Sequence, residues 1–237
     1  MPVDVRFHQL HPWALPPQQH QVNRQPSRTK ARLLRENFRY TRAERQPEHC
    51  APWVMGQELG WRVLSPVDIS FTPLDQIELD AVEDPEGAGR AANRTELWQR
   101  EKSHLAVEKT SWLHLHQFKT ARGWENMFLV NGAGTVEWRL GWGIDVPRGY
   151  FLLIVPSEQT PTGLEVPTGI LSNTATSRMS QENGLSIAVR PTAPVAVRRD
   201  QEIARIVLLH ADSLQARSVY PDVDAIEDIP EGESARA

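Results

Sequence analysis

Short apolar runs separated by turn residues dominate residues 146–210 of this chain. VPRGYFLLIVPSE, GLEVPTGILSNT and GLSIAVRPTAPVAVRRDQEIARIVLL each carry an apolar stretch flanked by Pro or Gly. That rhythm predicts short strands folded back on one another, as in a sandwich or barrel. Upstream, WLHLHQF alternates. As a strand it would set Trp112, His114, His116 and Phe118 on one face, with Leu113, Leu115 and Gln117 on the other. KTARGWEN then reads as a turn, MFLVN as a buried strand, GAG as a turn and TVEWRLGWGI as another strand. Residues 48–72 predict a short helix or turn punctuated by Gly60, then a strand, VDISF, after Pro66. Leu74, Ile77 and Leu79 alternate before DPEGAGRAAN, which reads as a mobile surface loop. Residues 96–111 show only weak periodicity.

The two ends differ from this pattern. Residues 1–27 hold five prolines, a density that prevents helix and central strand and predicts an extended arm. Its apolar residues Val5, Phe7, Leu10, Trp13 and Leu15 suit an arm lying along its own domain or a neighbouring subunit. Residues 28–45 have helical spacing at Leu33, Leu34 and Phe38, with Ser27 as a cap. From Arg24 to Arg45 there are eight basic residues and two acidic ones. Such a helix suits a solvated face, an acidic partner or, less favoured, nucleic acid. The C-terminal end is acidic and poor in apolar residues. The resulting division is 1–47, an extended Pro/Gln-rich and basic helical arm; 48–212, a mainly β domain; and 213–237, an acidic tail.

Composition narrows the classes. The 237 residues carry a net charge of −4 and are 40% hydrophobic, which allows a core and gives no global sign of a nucleic-acid binder. No apolar run approaches a membrane span. The N-terminus lacks a basic-then-apolar signal peptide, so a cytoplasmic or virion location is expected. The single Cys50 excludes an internal disulfide and a cysteine-built zinc site. Eight tryptophans against three tyrosines point to an aromatic core or interface. Trp138 and Trp142, beside Gly141 and Gly143, could also stack a ring or sugar.

Two sets of residues are candidates for chemistry. On a strand His114 and His116 would project from one face about 6.5–7 Å apart, close enough to share a cation, with Glu125 nearby. With Pro147-Arg148-Gly149 beyond, this set is loosely similar to a cupin metal motif, though the expected second-motif His is missing between Tyr150 and Ile154. Cys50 beside His49 is a weak nucleophile candidate, since sequence neighbours rarely form a working pair.

The second set follows a resemblance. PRGYFLLIVPSE, GLEVPTGILSNT and DQEIARIVLL occur in the order and spacing of the dUTPase and dCTP deaminase superfamily. That resemblance covers about 65 residues and implies a β-clip fold and a nucleotide-shaped site at Ser157, Glu158, Ser172 and Asn173. It also implies that the chemistry is absent. At the phosphate-binding loop, Pro156-Ser157-Glu158 puts a carboxylate where the family has a cation, and like charge repels phosphate. Ser172 stands where the family's water-activating Asp is needed. Residues 49–210 more broadly resemble an uncharacterised bacterial and phage family. Its shared features are Cys50, Gly60-Trp61, Ser65-Pro66, Arg148-Gly149-Tyr150 and Gly169-Ile170.

The expectation is therefore a mainly β protein, a β-sandwich or dUTPase-like β-clip domain with a partly helical N-terminal arm. Its expected role is non-catalytic: an oligomeric assembly or interaction protein, in the manner of a phage or prophage virion component. It needs no cofactor and no membrane. Phe7, Leu10, Trp13, Leu33 and Phe38 are the expected interface residues. The alternatives are a nucleotide-binding or nucleotide-processing dUTPase-like protein and a cupin-like metal enzyme.

Overall fold

The computed structural model of the protein describes residues 3–38, 46–100 and 102–218. Strand β1 (Arg6–Gln9), helix α1 (Gln25–Asn37), a 3-10 turn (Pro47–His49) and helix α2 (Ala51–Glu58) come first. Next are β2 (Trp61–Leu64), β3 (Ile69–Phe71), β4 (Gln76–Glu78), α3 (Pro85–Ala91), β5 (Glu96–Arg100) and β6 (Ser103–Val107). The short helix α4 (Ser111–Leu115) introduces β7 (Gln117–Thr120), β8 (Gly123–Asn126), β9 (Phe128–Gly132), β10 (Thr135–Arg139) and β11 (Trp142–Asp145). The last part contains β12 (Tyr150–Val155), β13 (Leu164–Glu165), β14 (Gly169–Ser172), α5 (Asn173–Gln181), β15 (Ser186–Pro191), β16 (Val195–Val197) and β17 (Glu202–His210).

The fold is mainly β. Two four-stranded antiparallel sheets, ordered β14-β12-β17-β2 and β13-β15-β10-β9, supply much of the core. Alternation explains which side each strand buries. Val136 and Trp138 of β10 point inward while Thr135, Glu137 and Arg139 are only half-buried. Leu152 and Ile154 of β12 do the same. Between them lies an aromatic cluster of Phe71, Trp112, Phe128 and Trp138, with ring centroids 5.0 to 5.8 Å apart. Trp138 and Trp142 are wholly buried. They belong to the core and have no open face on which to stack a ligand.

The N-terminal residues form a strap on this domain. Residues 3–11 are free of proline, so β1 can pair antiparallel with β11, setting Phe7 opposite Ile144. The Phe7 ring meets Trp61 and Trp142 edge-on at 5.5 and 5.8 Å. Trp13 stacks on His11 at 5.1 Å and packs against Phe118 at 5.2 Å. Gly141 makes this fit. Its φ is +71°, and a Cβ there would lie 2.4 Å from the Trp13 ring. Gln18 closes the strap by exchanging two backbone hydrogen bonds with Arg62, at 2.8 and 3.2 Å.

Three local expectations change. WLHLHQF is not one strand: α4 covers its first part and β7 begins at Gln117. Trp112 and Leu113 are consecutive and both buried, which one face of a strand cannot provide. The Trp112 indole N–H donates to the Thr72 hydroxyl at 3.1 Å. DPEGAGRAAN is no loop but contains α3. Asp84 caps it by accepting from the Gly87 N–H at 2.8 Å, and Pro85 supplies a preset first turn. Helix α1 starts ahead of Ser27, whose side chain is buried in the first turn and does not cap it. The basic stretch beyond Phe38 and the tail beyond Ser218 lie outside the described residues.

Candidate functional site

A β-bulge creates a polar site on the domain. The turn at Arg198–Gln201 is closed by the Gln201 N–H donating to the Arg198 carbonyl and by the Gln201 side chain accepting from the Arg198 N–H. β17 then shifts register against β2 between Glu202 and Ala204. The extra residue lets Glu202, Ile203 and Ala204 all be buried in succession. The Glu202 carboxylate is thereby turned inward, with the residue only 7% exposed.

Two arginines flank it. Arg205 of β17 and Arg62 of β2 are direct cross-strand partners, a like-charge pairing that destabilises a sheet unless something stands between. Glu202 does so. Its carboxylate accepts from Arg205 Nε at 3.1 Å and faces Arg62 Nε at 3.9 Å. The Ser157 hydroxyl donates to the same carboxylate. Arg205 also donates to the Gln57 carbonyl at 2.8 Å and the Gly56 carbonyl at 3.2 Å, tying the end of α2 to the sheet. Beside this network is a cavity of about 360 Å³ lined by His20, Gln57, Arg62, Gln159, Gln201, Glu202 and Arg205. It can accept a small polar molecule: two arginines share one carboxylate there, and among the described residues the buried Arg62 Nε has no hydrogen-bond partner.

The four nucleotide-site residues of the sequence reading separate into two pairs. Ser157 and Glu158 do not line this cavity, but each bonds a residue that does. Ser157 bonds Glu202 and receives the Gln159 N–H at 3.1 Å. Glu158 is exposed and accepts from the Gln57 side-chain amide at 3.1 Å. Ser172 and Asn173 are at the start of α5. Ser172 caps that helix by accepting from the Ala175 N–H at 3.2 Å, and the Asn173 amide donates to the Val146 carbonyl. Neither lines the cavity.

The metal candidates also part company. The α4 turn removes the shared strand face of His114 and His116. His114 Nε2 lies 2.9 Å from a carboxylate oxygen of Glu96, and its ring is stacked against Trp98. His116 Nε2 lies 3.0 Å from the Asp68 carbonyl, to which it donates. Glu125 accepts from Arg139 at 2.5 Å, Thr120 at 2.7 Å and Asn183 at 2.9 Å. Burial raises the Glu125 pKa, but these hydrogen bonds and the Arg139 charge outweigh it, so the net shift is downward. Among the described residues no three His, Cys, Asp or Glu side chains are grouped to hold a metal ion.

Of the interface candidates, Phe7 and Trp13 pack within the strap, and Leu10 is partly exposed. Leu33 is on α1 and Phe38 is its C-cap, and both are open to solvent. That helix is held at its root only. The Val22 N–H donates to Glu58 at 3.0 Å. Glu48 is kept below the usual carboxylate range, first by its own backbone N–H and next by the Ser27 hydroxyl. One face of α1 carries Ser27, Ala31 and Leu34, at i, i+4 and i+7, and Phe38 follows as the extended C-cap. Exposure rises along it: Ser27 6%, Leu34 36%, Phe38 58%. A neighbouring face carries Arg24, Arg28, Arg32 and Arg35, all exposed, with Arg32 paired to Glu36 at 3.6 Å. The sequence spacing located Leu33 and Phe38. Glu202, Arg62 and Arg205 were missed, because only the bulge and the β2–β17 register bring them together.

No family model and no curated protein matches the chain. Solved structures do. A dUTPase from phage phi11 of S. aureus matches with a TM-score of 0.38 at 8% identity, over 95% of this chain and 99% of that one. A variant dUTPase of Staphylococcus phage 80alpha matches with a TM-score of 0.39 at 9% identity, over 100% and 98%. The EIAV dUTPase matches with a TM-score of 0.33 at 11% identity, over 71% and 88%.

Proposed function

We propose that this protein is a non-catalytic assembly or interaction protein that self-associates through the outer part of α1. The observation that carries this is the exposure gradient along Ser27, Ala31, Leu34 and Phe38. A 13-residue helix with one buried residue gains little from its own domain. Helices of that length are marginal in water unless an apolar face is covered. A second copy provides such cover and does so symmetrically.

Two carboxylates held by the protein's own donors support the non-catalytic part. Glu202 and Glu125 are each engaged by an arginine and a hydroxyl. That arrangement holds a carboxylate against the protein's own donors rather than leaving it free to reach a substrate. A virion or prophage role is the finer form of this reading. Its support is the resemblance of residues 49–210 to bacterial and phage sequences, and detection of the chain in purified particles is its test. For self-association the test is sedimentation of the full chain at tens of micromolar. A dimer or larger species is expected, and a clean monomer rejects the proposal.

A further inference from the structure

We infer that the apolar and arginine faces of α1 receive the acidic C-terminal segment, residues 219–237, of a second copy of this chain. This rests on the self-association proposed above and names its other half. Residues 24–38 carry five basic side chains and one acidic one, while residues 219–237 carry six acidic side chains and one arginine. The arginines of α1 recur at i, i+4, i+8 and i+11, so they form a stripe rather than a scatter. Apart from Arg32, no stripe side chain has an ion-pair partner among the described residues.

The acidic segment offers the complement in both chemistries. Tyr220, Val223, Ile226 and Ile229 recur every third residue, with Asp222, Asp224, Glu227 and Asp228 between them. Apolar side chains can then meet Leu34 and Phe38 while carboxylates meet the arginine stripe. Length permits it. Nineteen extended residues reach up to about 60 Å, against about 20 Å for the whole of α1. Each copy carries one helix and one segment, so the exchange is reciprocal, and two such contacts close a dimer.

Two variants test this: a full chain with Arg28→Glu and Arg35→Glu, and a chain ended after Ser218. The first leaves the Arg32–Glu36 pair in place, and the second leaves the helix untouched, so one remains informative if the other misfolds. The wild type is expected to sediment as a dimer or larger, and each variant to associate at least about tenfold more weakly. An equimolar mixture of the two variants is then expected to form a heterodimer held by one of the two contacts, weaker than the wild-type dimer but tighter than either variant alone, because one supplies the intact helix and the other the intact segment. Wild-type association by the truncated chain overturns the inference and leaves the self-association proposal standing. A monomeric wild type rejects both. Two monomeric variants that do not combine also overturn it, because the segment then acts on its own helix. Binding of labelled duplex DNA by the stripe, with truncated-chain association unchanged, overturns it in favour of a nucleic-acid contact.

Discussion

Removing the Glu202 carboxylate should destabilise the protein more than its single substitution suggests. Arg62 and Arg205 face each other across β2 and β17, and Glu202 is the anion that separates them. Its side chain is 6% exposed, against 13% for Arg205 and 30% for Arg62. Breaking one partner out of a buried ion pair costs about 3–5 kcal/mol. Two features pull toward the low end. Arg205 keeps the Gln57 and Gly56 carbonyls, and the cavity lets water reach Arg62. Two features pull back: the Ser157 hydroxyl loses its acceptor, and two like charges are left opposed. We expect about 3 kcal/mol for Glu202→Ala, hence a fall in Tm of about 6–12 °C for a domain of this size.

The discriminating measurement is a double-mutant cycle in urea, monitored by circular dichroism. Glu202→Ala and Arg205→Ala should be non-additive, with a coupling of about 1–3 kcal/mol. Replacing both residues by Met should recover most of the loss, because a buried pair exchanged for apolar side chains is often near neutral. If Glu202→Ala costs no more than about 0.5 kcal/mol, the level of an ordinary surface change, the bulge does not serve to place this carboxylate. Strict additivity of the two alanine substitutions would refute the reasoning just as well.

Gly141→Ala should detach the N-terminal strap. The left-handed backbone costs about 1–2 kcal/mol, and the Cβ displaces Trp13; faster proteolysis ahead of Gln18 is the readout, and unchanged cleavage counts against the packing. Glu125 has a lowered pKa, so its contribution is present above the ordinary carboxylate range and lost as pH falls through its folded value. Glu125→Gln should therefore flatten the acid limb of a stability–pH curve, and an unaltered limb refutes this. Burial lowers the His11 pKa against the opposing pull of Glu125. Stability should fall as pH drops through the ordinary imidazole range and reach its full loss below the folded value; His11→Phe should remove that component, as read by Tm between neutral and mildly acid pH. The dUTPase-like nucleotide reading predicts a thermal shift with millimolar dUTP, and its absence removes that alternative.

What the sequence revealed, and what it hid, follows the range of the interactions. Strands β12, β15 and β17 were legible because their apolar runs are local and bounded by Pro and Gly. Helix α3 was hidden by its own composition. Two glycines in seven residues argue against helix, and the Asp84 cap with Pro85 outweighs them. WLHLHQF failed for the opposite reason. Its alternation is real, but Trp112 is claimed by the aromatic cluster around Phe128, a contact of long sequence separation. The histidine pair lost its common face with that strand.

The same distinction separates the two candidate surfaces. The Glu202 network depends on a register shift between strands about 140 residues apart in sequence, so single-sequence periodicity cannot show it. The α1 faces depend only on spacing within one helix, and spacing is what a sequence displays best. What spacing cannot show is which face stays uncovered. Leu34 and Phe38 would read alike on a helix packed against its own sheet. Their exposure, beyond the turn where Ser27 is buried, is what makes this pattern a candidate interface. The arginines beside it suit an acidic partner, as the proposed exchange requires.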